Sequence, residues 1–238
     1  MTQHLTLIGG RGRELPVLFD RPATAGAVRG AVVLAHGAGG TSLTPFIAHA
    51  AEGLTSAGWA VLRFDFGYAG VGGRPGRADR HDGPERADYL AALAAAADAL
   101  PAPLPIVAAG KSYGGRVATF LLASAQDDVA SGPAAALLDR VAGLLVFGYP
   151  IGGPGRERPA DVAALRIVGR PILVVQGSRD PLGPLSTLES AMAGIPGASI
   201  ARVEGGDHSY RAPGGREVVA RLEREAIRAA VAWLDALG

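Results

Sequence analysis

The chain of 238 residues is 48% hydrophobic and nearly charge-balanced, with 23 Lys+Arg against 22 Asp+Glu. This apolar fraction excludes a disordered chain, and a formal net charge of +1 gives no reason to expect nucleic acid, whose binding needs a clustered basic footprint. The absence of cysteine excludes disulfides, thiolate nucleophiles and cysteine metal sites. Along the chain, His4–Ile8 and Leu15–Phe19 flank Gly9-Gly10-Arg11-Gly12 and predict an antiparallel opening hairpin. Ala31–Ala35 is a continuous buried-strand run ending in His36-Gly37-Ala38-Gly39-Gly40. A helix is expected with Thr44 as N-cap and Pro45 at its first position, burying Phe46, Ile47, Ala50 and Leu54 and stopping at Gly58. Ala60–Phe64 is the next strand, followed by a Gly- and Arg-rich loop over Gly67–Gly83. Pro84–Leu100 has helical period, with Tyr89, Leu90, Leu93 and Ala97 on one face. Leu104–Ala109 predicts a strand running into Gly110-Lys111-Ser112-Tyr113-Gly114, and helical sequence resumes through Arg116–Ser124. Gly143–Phe147, Pro171–Gln176 and Ser199–Glu204 predict three further strands. Arg216–Leu237 predicts an amphipathic helix striped by Val218, Val219, Leu222, Ala226, Ala229 and Trp233.

This alternation is the pattern of a mostly parallel sheet with helices on both faces, an α/β fold. With no repeat and no polar linker, residues 1–238 are expected to form one domain; the Gly/Pro-rich stretch Gly148–Pro159 is followed by too few strands for an independent sheet. The first ten residues lack a basic region and carry too short an apolar run for a signal peptide. No uncharged apolar stretch reaches the roughly 18 to 20 residues of a membrane span. A soluble cytoplasmic protein, monomer or homodimer, without membrane or nucleic-acid partners, is the expectation.

Gly110-Lys111-Ser112-Tyr113-Gly114 is a G-x-S-x-G pentapeptide between a strand and a helix, the context of a nucleophile elbow. A nucleophile on so sharp a turn needs flanking glycines, because neighbouring side chains would collide with the adjacent strand and the following helix. In a chain with 35 glycines the pentapeptide alone is weak; the strand before it and the helix after it carry the reading. The same letters resemble the end of a phosphate loop, G-x-x-x-x-G-K-[ST], but Pro105 stands where that motif needs its first glycine. Ser112 is the candidate nucleophile.

A serine hydroxyl needs an adjacent base. Among the five histidines, His4 lies in the hairpin, His49 in an amphipathic helix, and His81 in the Arg/Gly loop. His36 is expected to anchor its loop by hydrogen bonds. His208 follows the last strand, at the carboxyl edge where reactive groups of an open α/β sheet collect, and is the candidate base. Asp180, after the strand Ile172–Gln176, is the candidate acid that orients it, giving the chain order Ser112, Asp180, His208. Asp65 and Asp207 compete for that role, although consecutive residues such as Asp207 and His208 seldom aim at each other. The oxyanion is assigned to two backbone N–H groups, those of Tyr113 and Ala38. Lys111, the only lysine, is expected to point away from the pocket. Arg74, Arg77, Arg80 and Arg211 are candidates for an anionic substrate group or for a solvated face, and Tyr68 and Tyr149 for the entrance.

Together, His36-Gly37-Ala38-Gly39-Gly40, Leu62-Arg63-Phe64-Asp65-Phe66, Gly110–Arg116 and Gln176–Gly183 with Gly206-Asp207-His208-Ser209 resemble the α/β-hydrolase family. More narrowly, they are similar to its small dienelactone-hydrolase-like and testis-expressed/NSL-complex-subunit-like branch. The resemblance implies an eight-stranded, mostly parallel sheet, a Ser-Asp-His triad, no cofactor and no metal. Because Gly148–Pro159 is short, it also implies an open site without a large helical cap. The activity implied is cleavage of an ester-like bond in a small-molecule acyl substrate by a serine hydrolase. Two alternatives stay open: a non-catalytic interaction module of the same fold, and an acyltransferase or peptidase using the same triad.

Overall fold

The computed structural model describes residues 1–23, 28–69, 72–79, 83–101, 103–125, 133–152, 156 and 158–237. The strands are β1 (Thr2–Ile8), β2 (Glu14–Asp20), β3 (Ala31–Ala35), β4 (Ala60–Phe64), β5 (Ile106–Lys111), β6 (Val141–Phe147), β7 (Ile172–Gly177) and β8 (Ala198–Val203). They form one sheet in the order β1-β2-β4-β3-β5-β6-β7-β8. β1 pairs with β2, and β2 with β4, antiparallel; every later pairing is parallel. The helices are α1 (Pro45–Ser56), α2 (Pro84–Asp98), α3 (Tyr113–Ser124), α4 (Pro133–Asp139), α5 (Pro159–Ile167), α6 (Leu185–Met192) and α7 (Gly215–Leu237). None of the described helices is long and apolar enough to cross a membrane.

The central strands β3 and β4 are buried at every residue, which is why they read as unbroken apolar runs rather than alternating ones. Alternate side chains feed two separate cores. Ala31, Val33, Ala35 and Leu62 pack with Tyr89, Leu93, Val117, Leu121, Leu165 and Leu188 from α2, α3, α5 and α6. Val32, Leu34 and Val61 pack with Phe46, Ile47 and Ala50 of α1 and with Leu222, Ala226 and Ile227 of α7. Helices therefore cover both faces.

Several local expectations are corrected. Thr44 caps α1 without a side-chain bond to the helix; its Oγ1 instead accepts from the Thr41 N–H at 3.0 Å, tying the preceding turn. β5 runs on through Gly110 and Lys111, and α3 begins at Tyr113 rather than Arg116, so Ser112 alone makes the turn. The short helices α4, α5 and α6 escape a periodicity argument that needs several turns to register. On α7 the buried residues are Leu222, Ala226, Ile227, Ala230 and Leu234, whereas Val218, Val219, Ala229 and Trp233 are half-buried. The stripe is rotated because α7 packs against α1 as well as the sheet, with Ile227 close against Gly53.

One buried charge pair joins α3 to α5. The Arg116 guanidinium holds Asp161 with Nε at 2.5 Å and Nη2 at 2.9 Å, and the Tyr149 hydroxyl donates to the same carboxylate at 3.2 Å. Asp161 is 1% exposed, so removing it strands a buried guanidinium and a buried hydroxyl. Asp161→Ala is expected to lower unfolding stability by about 3–5 kcal/mol, read from denaturant melts. A loss below about 1 kcal/mol would show that the pair contributes little.

Candidate active site

The site begins with a strained residue. Ser112 has φ +53° and ψ −113°, a conformation that costs a non-glycine residue energy and that the surrounding packing must enforce. That enforcement comes from close backbone contact. A Cβ on Gly110 would lie 2.5 Å from the Gly114 carbonyl carbon, and one on Gly114 would lie 2.5 Å from the His36 oxygen. Only glycine lets β5, α3 and the loop after β3 meet this closely. The Ser112 N–H bonds to the Phe147 carbonyl at 3.0 Å, which fixes the turn to β6.

The turn presents Ser112 to His208, which lies between β8 and α7. His208 Nε2 is 2.8 Å from Ser112 Oγ, and His208 Nδ1 is 2.7 Å from Asp180 Oδ2. An ionised carboxylate can only accept, so Nδ1 carries the hydrogen and Nε2 is left to accept from the serine hydroxyl. Asp180 is 3% exposed and held on both oxygens: the Leu182 N–H donates to Oδ1 at 2.8 Å and Gln176 Nε2 to Oδ2 at 2.7 Å. The other two aspartates are committed elsewhere. Asp65 Oδ1 accepts from the Ser42 N–H at 2.5 Å, and Asp207 Oδ1 accepts from the N–H groups of Ser209 and Arg211 at 2.8 Å.

The two residues expected to supply oxyanion donors, Tyr113 and Ala38, lie on the segments that flank the serine. Tyr113 opens α3, where main-chain N–H groups have no partner within the helix. Across from it, the loop after β3 closes a turn with the Gly40 N–H on the Gly37 carbonyl, and Ala38 stands exposed at its tip. A Cβ on Gly37 would be 3.7 Å from Ser112 Cβ, so this loop runs along the nucleophile. His36 anchors it from below. Its Nε2 accepts from the Phe66 N–H at 3.1 Å and its Nδ1 is 2.7 Å from the Gly37 oxygen. The ring is fully buried, and desolvation, opposed by the Gly37 bond and Asp65, lowers its pKa.

The family model for the alpha/beta hydrolase domain matches residues 28–234. The chain belongs to the α/β-hydrolase family. No curated protein matches its sequence. Among solved structures, this α/β-hydrolase is similar to a Xanthomonas campestris protein described as a member of a/b serine hydrolase without lid. The identity is 20%, with 98% of this chain and 94% of that one covered and a TM-score of 0.67. It is also similar to a dienelactone hydrolase from Anabaena variabilis, at 20% identity over 99% of this chain and 98% of that one, TM-score 0.65. An alpha-beta serine hydrolase homologue from Coxiella burnetii gives 20% identity over 95% and 96%, TM-score 0.63. At these identities the likeness is one of fold. In keeping with it, no cap helix interrupts the described residues between β6 and α5.

Other side chains singled out from the sequence lie apart from the array. Tyr149 does not line an entrance: it is fully buried, because its hydroxyl finds an acceptor inside on Asp161. Tyr68 is buried too, with its ring stacked on Phe66 at 5.8 Å, and it lines a cavity with Arg13, Arg74 and Arg77. Arg77 is exposed and paired with Asp79 at 2.6 Å, which fits a solvated face better than a substrate anchor. Arg211 is exposed beside Asp207, while Arg80 and His81 lie outside the described residues. His4 is exposed on β1, and His49 reaches from α1 to Glu223 of α7 at 2.8 Å. Gln176 was overlooked by sequence reasoning. Its Nε2 serves Asp180 and the Gly183 carbonyl, and its Oε1 accepts from the Tyr149 N–H at 2.8 Å. The available signal was a lone amide at the end of the apolar run Ile172–Val175.

Proposed function

We propose that this α/β-hydrolase, acting as one domain over residues 1–238, cleaves ester-like bonds of small acyl substrates through Ser112, His208 and Asp180. The observation that carries the reading is the continuous hydrogen-bonded line from Ser112 Oγ through both nitrogens of His208 to Asp180. Ser112 Oγ attacks the carbonyl carbon while its proton passes to His208 Nε2. Asp180 keeps the other nitrogen protonated and offsets the imidazolium charge. The carbonyl oxygen gains the charge, and the N–H groups of Tyr113 and Ala38 receive it. Collapse of the tetrahedral intermediate breaks the bond to the leaving alcohol, which takes the proton from His208. Water then repeats the sequence on the acyl-serine, with His208 again as base, and releases the acid and the free hydroxyl. These steps call on groups of this chain and water alone.

The test is active-site labelling with a fluorophosphonate probe. Wild-type protein is expected to label stoichiometrically and Ser112→Ala not at all. Equal labelling of the two proteins, or none of either, would reject the mechanism. A screen of acyl length and leaving group on the labelled enzyme then defines the substrate.

A further inference from the structure

The reaction proposed above leaves one charged group beside its base unused. Lys111 is the only lysine in a chain with 23 basic residues, and it closes β5 directly before the nucleophile. Its ammonium turns toward the main chain of His208. Nζ donates to the main-chain carbonyl of His208 at 2.5 Å and stands 5.5 Å from the centre of the Tyr210 ring. Gly148, at the end of β6, leaves the room for this. A Cβ there would lie 2.7 Å from Nζ and 3.3 Å from His208 Nδ1, so ammonium and imidazole face the same small space.

We propose that Lys111 is a positioning residue for this site: its ammonium clamps the main chain at His208 and holds the imidazole in register with Ser112. The inference rests on the triad reading. The two bonds to the His208 ring change character as its proton moves, whereas a bond to the His208 carbonyl persists through the cycle. Neighbouring bonds hold the loop at Gly206, Asp207 and Tyr210, and the Lys111 bond fixes the main chain at His208 itself. The other basic residues of this chain are arginines, and the one ammonium stands close against Gly148.

The clamp has a pH dependence. Desolvation lowers the Lys111 pKa from 10.5 to about 8, against the opposing attraction of Asp180 beyond β7 and Asp207 beyond β8. The facing Tyr210 phenol is itself pushed well above its ordinary range, so it stays neutral throughout. As pH rises through about 8 the ammonium loses its charge and its charge-assisted bond weakens. Stability moves the other way. Between about 8 and 10.5 the unfolded chain holds this proton and the folded chain does not, so the group's contribution to stability increases with pH. An alkaline loss of activity caused by Lys111 is therefore not unfolding.

The lone lysine makes the test direct, because lysine labelled with nitrogen-15 gives one side-chain resonance. In wild-type protein that resonance is expected to titrate near 8, together with an alkaline decline in ester turnover. Lys111→Met is expected to lower kcat by about 10- to 100-fold with KM changed less than about twofold. It should melt no lower than wild type, and its remaining activity should show no decline near 8. A methionine variant that keeps the wild-type kcat overturns the inference; titration near 10.5 would remove the alkaline decline and leave the clamp charged throughout. If the methionine variant fails to fold, Lys111→Gln is read by the same kcat and KM comparison, and a wild-type kcat there overturns the inference. Absence of fluorophosphonate labelling in wild type overturns the triad reading and this inference with it; normal labelling with an unchanged Lys111→Met overturns the lysine's role alone.

Discussion

His208→Ala is expected to reduce turnover of a short p-nitrophenyl ester by about four to six orders of magnitude, with KM little changed. The size follows from what the ring does at both of its nitrogens. Nε2, 2.8 Å from Ser112 Oγ, is the acceptor for the serine proton, and no second base stands at hydrogen-bond distance from that oxygen among the described residues. The fold should be untouched. Main-chain bonds hold the loop around position 208, including Arg179 N–H to the Gly206 carbonyl at 2.9 Å and Asp207 N–H to the Arg211 carbonyl at 3.0 Å. Lys111 also bonds to the carbonyl of residue 208, which alanine keeps. Thermal melts alongside initial rates separate the two effects. A variant that melts normally and retains more than about one-tenth of the turnover would remove His208 from the mechanism.

The second large effect is expected from Asp180→Asn: a fall in kcat of about 10⁴-fold. The reason lies in the donors that surround this carboxylate. Leu182 N–H points at Oδ1, while Gln176 Nε2 and His208 Nδ1 both point at Oδ2. An asparagine has only one oxygen, so wherever its amide nitrogen goes it meets a donor. With the oxygen kept at Leu182, the amide faces His208 Nδ1 and favours the tautomer protonated at Nε2, which cannot accept from the serine. The outcome is checked by steady-state kinetics together with the imidazole nitrogen shifts in labelled protein. Wild-type kcat in Asp180→Asn, or an unchanged tautomer, would show that Asp180 does not orient the ring.

Fold class was legible because the strands of the central sheet are buried on both faces. β3 and β4 appear in the sequence as unbroken apolar runs over Ala31–Ala35 and Ala60–Phe64, with the bounds that the structure shows. The α7 stripe was less legible. Its position depends on a second neighbour, α1, that no local period encodes: Leu222 and Ala226 are buried as expected, but Ile227, Ala230 and Leu234 complete the buried face rather than Val218, Val219, Ala229 and Trp233. Tyr149 shows the same limit. A tyrosine beside a glycine-rich loop looks like an entrance residue until Asp161, from another element, supplies a buried acceptor.

The sequence by itself determines the alternation of strands and helices, the glycine-flanked turn at Gly110–Gly114, and the placement of Ser112, Asp180 and His208 just beyond strand ends. These depend on local period, on backbone sterics and on chain order, all of which are written residue by residue. Tertiary structure alone decides which loops become neighbours. The order β3-β5-β6-β7-β8 sets Lys111, Gly148 and His208 around one small space, and brings Gln176 beneath Asp180. Lys111 was expected to point away from the pocket; its ammonium ends on the His208 carbonyl, beside the imidazole. That contact joins residues 97 positions apart. Only assembly of the sheet creates it, because a hydrogen bond needs two groups within about 3 Å and the sequence sets no distance between separate strands.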